Sequence, residues 1–421
     1  MSQFGRVRQV EGAEPRDSGS AGDGESERER HLKRVLTSAL PGGFVGGNSV
    51  QPLRNGVEIF PPMLDAIARA ERSIDFETFV YWHGEIARRF ARALADAADR
   101  GVRVRVLVDA VGAVPMPGEI RDIMTQSPAE VRDFHPPSSF RFWEMDHRTH
   151  RKILVCDDEA FTGGVGIAEE WTGNARNPEE WRDTHFQIRG PAVEMLRGIF
   201  LGHWLETAGP EGGPAIRASL ALGNDDPGGA GPGLDYSDVE IQLVRSTGGN
   251  RWTDIQTLLR VLLASAKKRI RIATGYFVPE PEIVTLLCDA ASSGIEVEVL
   301  HPGPHTDHRI AQLGGESTYA PLLEAGVRIY RYQPTMYHKK LITVDGVLSV
   351  IGSANLNHRS SIKDDEVCLN VLDREFTATM DRHLDEDLER CDRVHEAEDW
   401  SNRSVAQRIG EWISRRFWSQ F

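Results

Sequence analysis

The chain has 421 residues, enough for two ordinary domains that each bury a core of their own. Its 63 acidic and 49 basic side chains give a formal net charge of -14, which repels polyanions at long range, so we expect no nucleic-acid partner. Four scattered cysteines exclude a paired metal spacing or a dense disulfide framework, and no apolar run approaches the roughly 20 residues that a helix needs to cross a bilayer.

In chain order, composition divides the sequence into five segments. Residues 1–32 are rich in Gly, Ser, Glu and Arg and predict a disordered tail, while the Gly/Pro stretch 208–235 predicts a linker. Between and after them, 33–207 and 236–398 have globular composition. The last segment, 399–421, predicts an amphipathic basic helix, which could lie in a membrane interface or pack on the protein body.

Both globular segments repeat one order of predicted elements: a strand, an amphipathic helix and an alternating strand. In the first segment these are Ser73–Trp82, Ile86–Arg100 and Gly101–Asp109, and in the second Arg269–Val278, Glu282–Ser293 and Gly294–Leu300. The alternation predicts an α/β fold of two similar halves, with two mixed sheets packed together.

Each half then carries the spacing His-x-Lys-x4-Asp. The first copy is His150, Lys152 and Asp157, and the second is His338, Lys340 and Asp345. Residues i and i+2 of a strand share a face, so we expect each His and Lys to project together from one sheet face. A single copy is typical of a solvated strand edge, whereas two copies at matching places predict a shared site.

These residue types suit the displacement of an oxygen from a phosphodiester. One imidazole can attack phosphorus, the other can protonate the leaving alkoxide, and two lysines supply charge to the non-bridging oxygens. No metal or other cofactor is required. Asp157 and Asp345 are counted with the catalytic residues as members of the motif, and the role expected of them is to pin local structure.

Further residues are assigned from position. The turn Gly352–Asn355 offers a hydroxyl and an amide, so Ser353 and Asn355 are predicted to bind phosphate. Asp183 and Glu366 each begin an apolar strand, 33 and 28 residues after the histidine of their own half, and are predicted to orient the imidazoles. The alternative is that both are ordinary surface carboxylates.

At these residues the chain resembles the phospholipase D superfamily, and more narrowly bacterial cardiolipin synthases without N-terminal membrane helices. Besides the double motif, the stretches GNSVQPLRNGVEIFPPMLDAI, WRDTHFQIRGPAV, GYFVPEPEI and GSANLNHRS carry the resemblance. It implies two phospholipase D-like halves about a pseudo-two-fold axis, with one active site at their interface. It also implies metal-independent transfer of a phosphatidyl group held on a histidine, with phosphatidylglycerol or a related lipid as donor and acceptor.

By the same resemblance His150 is the favoured nucleophile and His338 the general acid, in a cytoplasmic protein that contacts the inner face of the cell membrane peripherally. Gly166 stands where the family usually has Asn, so the first half is expected to contribute less to phosphate binding than the second. Two alternatives stay open: a hydrolase, either phospholipase or nuclease, or a catalytically weak lipid-binding homologue. The histidines of HPGPHTDH are interpreted as a substrate-side loop rather than a metal site, and the oligomeric state is left open.

Overall fold

The computed structural model describes residues 26–136, 147–207, 234–249 and 252–394. The expected C-terminal helix at 399–421, most of the expected linker and the first 25 residues of the expected tail lie outside these ranges. Within the described ranges, no helix is both long and apolar enough to cross a membrane.

The elements alternate between strand and helix, as the sequence predicts, in both halves. In chain order they are α1 (Glu27–Ala39), β1 (Val45–Arg54), α2 (Asn55–Arg69), β2 (Ser73–Thr78), α3 (Glu85–Asp99), β3 (Arg103–Asp109), α4 (Gly118–Thr125), β4 (Glu130–Phe134), β5 (Ile153–Cys156), β6 (Glu159–Gly163), β7 (Thr184–Arg189), α5 (Ala192–Glu206), β8 (Tyr236–Ser246), α6 (Asp254–Ser265), β9 (Arg269–Thr274), β10 (Phe277–Val278), α7 (Pro281–Ser292), β11 (Glu296–Pro302), α8 (Arg309–Glu316), α9 (Tyr319–Glu324), β12 (Arg328–Tyr332), β13 (Lys340–Val344), β14 (Leu348–Gly352), β15 (Leu356–Asn357), β16 (Glu366–Leu372), α10 (Arg374–Leu388) and β17 (Cys391–Arg393).

The strands form one continuous mixed sheet, apart from the short parallel pair β10 and β15. Its order is β17-β12-β11-β9-β13-β14-β16-β8 through the second half and β1-β7-β6-β5-β2-β3-β4 through the first. The order mirrors itself about the antiparallel contact of β1 with β8, which gives the two halves their pseudo-two-fold relation. The two mixed sheets expected from the sequence are linked edge to edge through β1 and β8, which leaves neither strand with an unpaired edge. Strands of the two halves also pack against each other, since β6 contacts β14.

Helices cover both faces of this sheet, so its central strands are buried on both sides. In β5, Leu154 and Cys156 belong to a core under α2, α3 and α4, while Ile153 and Val155 belong to a core under α5 and α10. That second core contains residues of both halves, and it fixes how the two halves meet. A strand covered on both faces has a continuous apolar sequence, which is what ILVC in β5 shows.

Helix α1 departs from the sequence-based expectation. It begins at Glu27, inside the segment expected to be disordered, and its Leu32 and Leu36 are buried in the core of the second half. Ser26 and Glu29 form a reciprocal cap at its start. The boundary at 32 was wrong because leucines spaced by four residues give the helix an apolar stripe that offsets its ordering entropy.

Candidate active site

The main chain at each motif histidine is hydrogen-bonded to the opposite half. The amide of His150 donates to the carbonyl of Asp365 at 2.9 Å, and the amide of His338 donates to the carbonyl of Arg182 at 2.8 Å. Both histidines therefore precede their strands, and β5 begins only at Ile153. The prediction that His and Lys share a strand was wrong for both copies, because the backbone at each histidine pairs with the opposite half instead and β13 begins only at Lys340.

Each imidazole is held by a carboxylate from the opposite half. His150 Nδ1 lies 2.9 Å from Glu366 Oε1, and His338 Nδ1 lies 2.9 Å from Asp183 Oδ2. Both carboxylates are fully buried. With Nδ1–H donating to a carboxylate, Nε2 is left as the nitrogen with the free lone pair. The two residues predicted to orient the imidazoles do contact them, but crosswise.

The two motif lysines lie in the same site. Lys152 Nζ donates to the carbonyl of His150 at 2.7 Å, and Lys340 Nζ donates to the carbonyl of His338 at 2.6 Å. Burial lowers the pKa of Lys152 to about 8. Burial, together with the charge of Lys152, lowers the pKa of Lys340 to about 7, against the opposing pull of Asp183. The pKa of each lysine also responds to the carboxylate that holds the other motif's histidine, since Asp183 raises that of Lys152 and Glu366 raises that of Lys340.

Burial also controls the two imidazoles. The pKa of His150 falls below its ordinary value because burial outweighs the nearby charge of Glu366. For His338, burial and the ammonium of Lys340 lower the pKa to about 4. Lys340 Nζ also lies 3.0 Å from His338 Nε2, whereas no described residue hydrogen-bonds Nε2 of His150. Both rings are therefore neutral at pH 7, and the lone pair of His150 is the more available one.

The two residues of the turn after β14 that were predicted to bind phosphate differ in their hydrogen bonds. Ser353 donates its hydroxyl to Glu366 and so supports the partner of His150. Asn355 is 4% exposed, and its buried Oδ1 has no hydrogen-bond partner. Gly275 makes room beside it, since a Cβ there would lie 3.3 Å from that oxygen. The side chain of Asn355 thus has an unpartnered oxygen in this turn. Phosphate binding by Asn355 remains a prediction.

The first half lacks this polar corner. Gly166 occupies the position that corresponds to Asn355, and a Cβ at Gly166 would lie 2.6 Å from Cβ of Val80. Where the second half has Gly275, the first has Phe79, whose ring centroid is 5.4 Å from that of His150. The corner formed by Gly166 and Phe79 is therefore apolar, whereas the corresponding corner formed by Asn355 and Gly275 is polar.

The motif aspartates lie away from the imidazoles, at the opposite end of their strands. Asp157 accepts hydrogen bonds from the amides of Glu71, Arg72 and Ser73 at 2.8 to 3.0 Å. Asp345 does the same for three consecutive amides beginning at residue 267. These contacts agree with their expected role in pinning local structure, and their grouping with the catalytic residues remains a prediction.

The sequence analysis missed several residues that wall the site beside His338. The indole Nε1 of Trp171 donates to Asp183 at 3.0 Å, and the rings of Trp171 and Trp181 lie 5.2 and 5.5 Å from that of His338. Tyr276 packs 6.1 Å from the same imidazole. The signal available was the Trp that ends GGVGIAEEW, because this stretch begins at the end of β6, the strand that pairs with the motif strand β5.

The histidines of HPGPHTDH are dispersed in the structure. His301 is buried against Tyr319, while the ring of His308 packs 5.7 Å from Tyr276. Between them Asp307 accepts a hydrogen bond from Tyr276 Oη at 2.6 Å. In the described part of the chain no three His, Cys, Asp or Glu side chains are grouped to hold a metal ion. This loop borders the site on the side of His338.

Comparison with known proteins gives the same picture over most of the chain. The family model described as cardiolipin synthase, PLD-like domain, matches residues 63–171 and 259–388, one match in each half. Cardiolipin synthase 1 of Bacillus anthracis is 32% identical over 400 residues, which is 93% of this chain and 76% of that protein. The cardiolipin synthase of Geobacillus kaustophilus (strain HTA426) is 34% identical over 366 residues, 86% of this chain and 70% of that protein.

Solved structures share the fold at low identity. The phosphatidylserine synthase of Haemophilus influenzae Rd KW20 superposes with a TM-score of 0.71 at 14% identity, covering 93% of this chain and all of that one. This likeness shows that the two-half arrangement is a known one. Together with the family match in both halves, it establishes that the chain belongs to the cardiolipin synthase family of phospholipase D-like enzymes.

Proposed function

We propose that the protein is a cardiolipin synthase-like phosphatidyltransferase that works through a phosphohistidine. The observation that carries the proposal is the pair of imidazoles, each held by a buried carboxylate of the opposite half, with a motif lysine beside each. The names of its relatives support a phospholipid substrate.

In the first step Nε2 of His150 attacks phosphorus of the donor lipid. The bond between phosphorus and the head-group oxygen breaks, and that oxygen takes the proton from Nε2 of His338. Before this step His338 must be protonated, and the negative charge of a bound phosphodiester raises its pKa from the value of about 4 that burial and Lys340 impose. The phosphatidyl group is left bonded to His150.

In the second step the acceptor alcohol gives its proton to His338 as its oxygen bonds phosphorus. The phosphorus–nitrogen bond then breaks and His150 returns to its neutral form. Glu366 stabilises the positive ring that forms whenever Nε2 of His150 is substituted. Lys152, Lys340 and the amide of Asn355 balance the charge on the non-bridging oxygens.

Phosphatidylglycerol suits both roles, because it carries a phosphodiester and a head group with free hydroxyls. Two molecules would give cardiolipin and free glycerol. Water in place of the acceptor would give phosphatidate, so transfer and hydrolysis differ only in the second step. The substrate lies in a bilayer, so we propose that the protein meets it peripherally at the inner face of the cell membrane.

Lipid product analysis tests the proposal. Purified protein incubated with phosphatidylglycerol vesicles should yield cardiolipin and glycerol, and His150→Asn or His338→Asn should abolish both. His31→Asn, on helix α1, is the matched control and should leave the yield unchanged. Phosphatidate without cardiolipin would replace transferase with hydrolase, and no lipid product at all would leave a lipid-binding homologue.

A further inference from the structure

In each half, the large apolar side chains that face solvent follow strands at the end that carries the motif of that half. Within the described residues they are Val57, Val111, Val114, Trp252 and Ile310, with exposed fractions of 51, 39, 72, 59 and 54%. Scattered exposed apolar residues are ordinary on a soluble protein, whereas a set that recurs at the motif end of both halves requires an explanation. We call these five side chains the rim.

Two of the rim residues stand at corresponding helix starts. Strand β1 ends at Arg54, paired with Thr184 beside the carboxylate Asp183, and α2 with Val57 begins there. Strand β8 ends where Ser246 pairs with Glu366, and the chain then leads through Trp252 into α6. Val57 therefore follows the end of β1 next to Asp183, and Trp252 follows the end of β8 next to Glu366.

The other three stand in corresponding connections after β3 and β11. Val111 and Val114 flank Gly112, which packs on the backbone of Phe79, and the ring of Phe79 contacts His150. A comparable chain of contacts starts from Ile310 in α8. It runs through His308 to Tyr276 and ends at His338. Each half thus places apolar side chains around the imidazole of the shared site.

We propose that the rim binds a phospholipid bilayer and so places the active site against it, a proposal that rests on the function proposed above. The five side chains belong to four separate segments, each leaving a strand at its motif end, whereas a protein interface has a contiguous packed centre. Acyl chains accept such separate insertions, as they do those of interfacial helices. Docked this way, the cleft would open directly onto the head-group layer that holds its substrate.

The formal net charge of -14 predicts how bilayer binding depends on lipid charge and on salt concentration. An acidic protein is repelled by an anionic surface at long range, so binding must come from apolar insertion. We therefore expect binding to neutral phosphatidylcholine vesicles as well as to vesicles containing phosphatidylglycerol. Raising the salt concentration should strengthen binding to the anionic vesicles, because it screens the repulsion.

Vesicle sedimentation tests the rim with the variant Val114→Asp/Trp252→Asp/Ile310→Asp. We expect its partition coefficient on phosphatidylcholine vesicles to fall at least about tenfold, since three charges replace inserted apolar groups. Val114→Asp alone and Ala68→Asp form the charge-matched pair, because residue 68 is exposed near the far end of α2 and adds the same single charge away from the rim. Should the triple variant unfold, the milder Val57→Ser/Val111→Ser makes the same comparison.

A short-chain phosphatidylglycerol kept below its micelle concentration separates docking from chemistry. The triple variant should turn over this monomeric lipid at the wild-type rate and lose only activity on vesicles. Wild-type binding by the rim variants would overturn the proposal, and so would a rim that buries itself in a dimer when sedimentation velocity is measured without lipid. Docking through the rim by a protein that converts no phospholipid would leave this surface standing and remove the proposed function.

Discussion

Nδ1 of His150 lies 2.9 Å from Oε1 of Glu366, a residue 216 positions later in the chain and in the opposite half. The same crossing recurs between His338 and Asp183. Neither half therefore contains a complete imidazole–carboxylate pair. A half separated from its partner would have a histidine with no carboxylate to set its tautomer, so the duplicated chain works only as a whole.

Glu366→Gln should lower kcat by about 10²- to 10⁴-fold while the protein stays folded. The amide cannot stabilise the positive imidazole that forms when Nε2 bonds phosphorus, and it can hold the wrong tautomer. Steady-state turnover of a monomeric phosphatidylglycerol, with circular dichroism to confirm folding, measures the effect. A kcat within threefold of wild type would show that the contact does not serve the reaction.

Asp157→Asn is the matched control, since it changes a carboxylate of the motif at the other end of the strand. It should lower the free energy of unfolding by about 1 to 3 kcal/mol, because three backbone amides lose a charged acceptor. Turnover per folded molecule should stay at the wild-type value when the assay is corrected for the folded fraction, which a thermal melt measures.

The alkaline side of the pH profile should report the lysines. Burial puts the pKa of Lys340 at about 7 and that of Lys152 at about 8, so both ammonium charges are lost from the empty site as pH rises through 7 to 8. We expect kcat/KM to fall over that range because the phosphodiester loses its cationic partners. Lys340→Arg, which does not titrate, removes the earlier of the two charge losses and should move the fall to higher pH. A flat wild-type profile up to pH 9.5 would contradict this account.

Gly166→Asn, which restores the usual residue of the family, should destabilise this protein when made alone. The new Cβ would lie 2.6 Å from Cβ of Val80, so the backbone or Val80 must move. Gly166→Asn/Val80→Gly removes the obstruction and should recover most of the lost melting temperature. Equal melting temperatures for the single variant and wild type would show that the first half already has room for an asparagine.

Stability should also fall at mildly alkaline pH through His203. Its Nδ1 lies 2.6 Å from Glu77 Oε1 and its Nε2 lies 3.1 Å from Asp365 Oδ2, so it joins carboxylates of both halves. Burial opposes its charge, but Glu77 and Asp365 raise its pKa to about 8. The raised value stabilises the fold below pH 6.5, by about 2 kcal/mol, and this contribution is lost as pH rises through 8.

His203→Gln should remove that pH dependence along with the charge. Urea unfolding at pH 6.5 and at pH 9 should show the wild type losing more stability between the two than the variant does. An identical loss in both proteins would place the titrating group elsewhere.

Much of the site could be predicted because its chemistry is local in sequence. The spacing of His150 and Lys152, repeated at His338 and Lys340, identified four groups that the structure brings together. The alternation of strand and helix predicted the α/β halves for a similar reason, since each element's periodicity is contained in its own residues.

What could not be predicted depends on contacts between distant segments. The sequence intervals from each histidine to Asp183 and Glu366 do not show which half each carboxylate faces. The pairing of each carboxylate with the histidine of the opposite half therefore could not be predicted. The joining of β1 to β8 is likewise a pairing of segments far apart in sequence. Helix α1 was missed for another reason: its few leucines lie among charged residues, and only the second half's core shows what they bury against.

The central claim is that His150 carries the phosphatidyl group between donor and acceptor. Protein mixed with phosphatidylglycerol, quenched in alkali to preserve phosphohistidine and digested, can be searched by mass spectrometry for the adduct. We predict the adduct on the peptide containing His150, its accumulation in His338→Asn and its absence in His150→Asn. Turnover without any adduct on either histidine, or an adduct on His338 alone, would contradict the account.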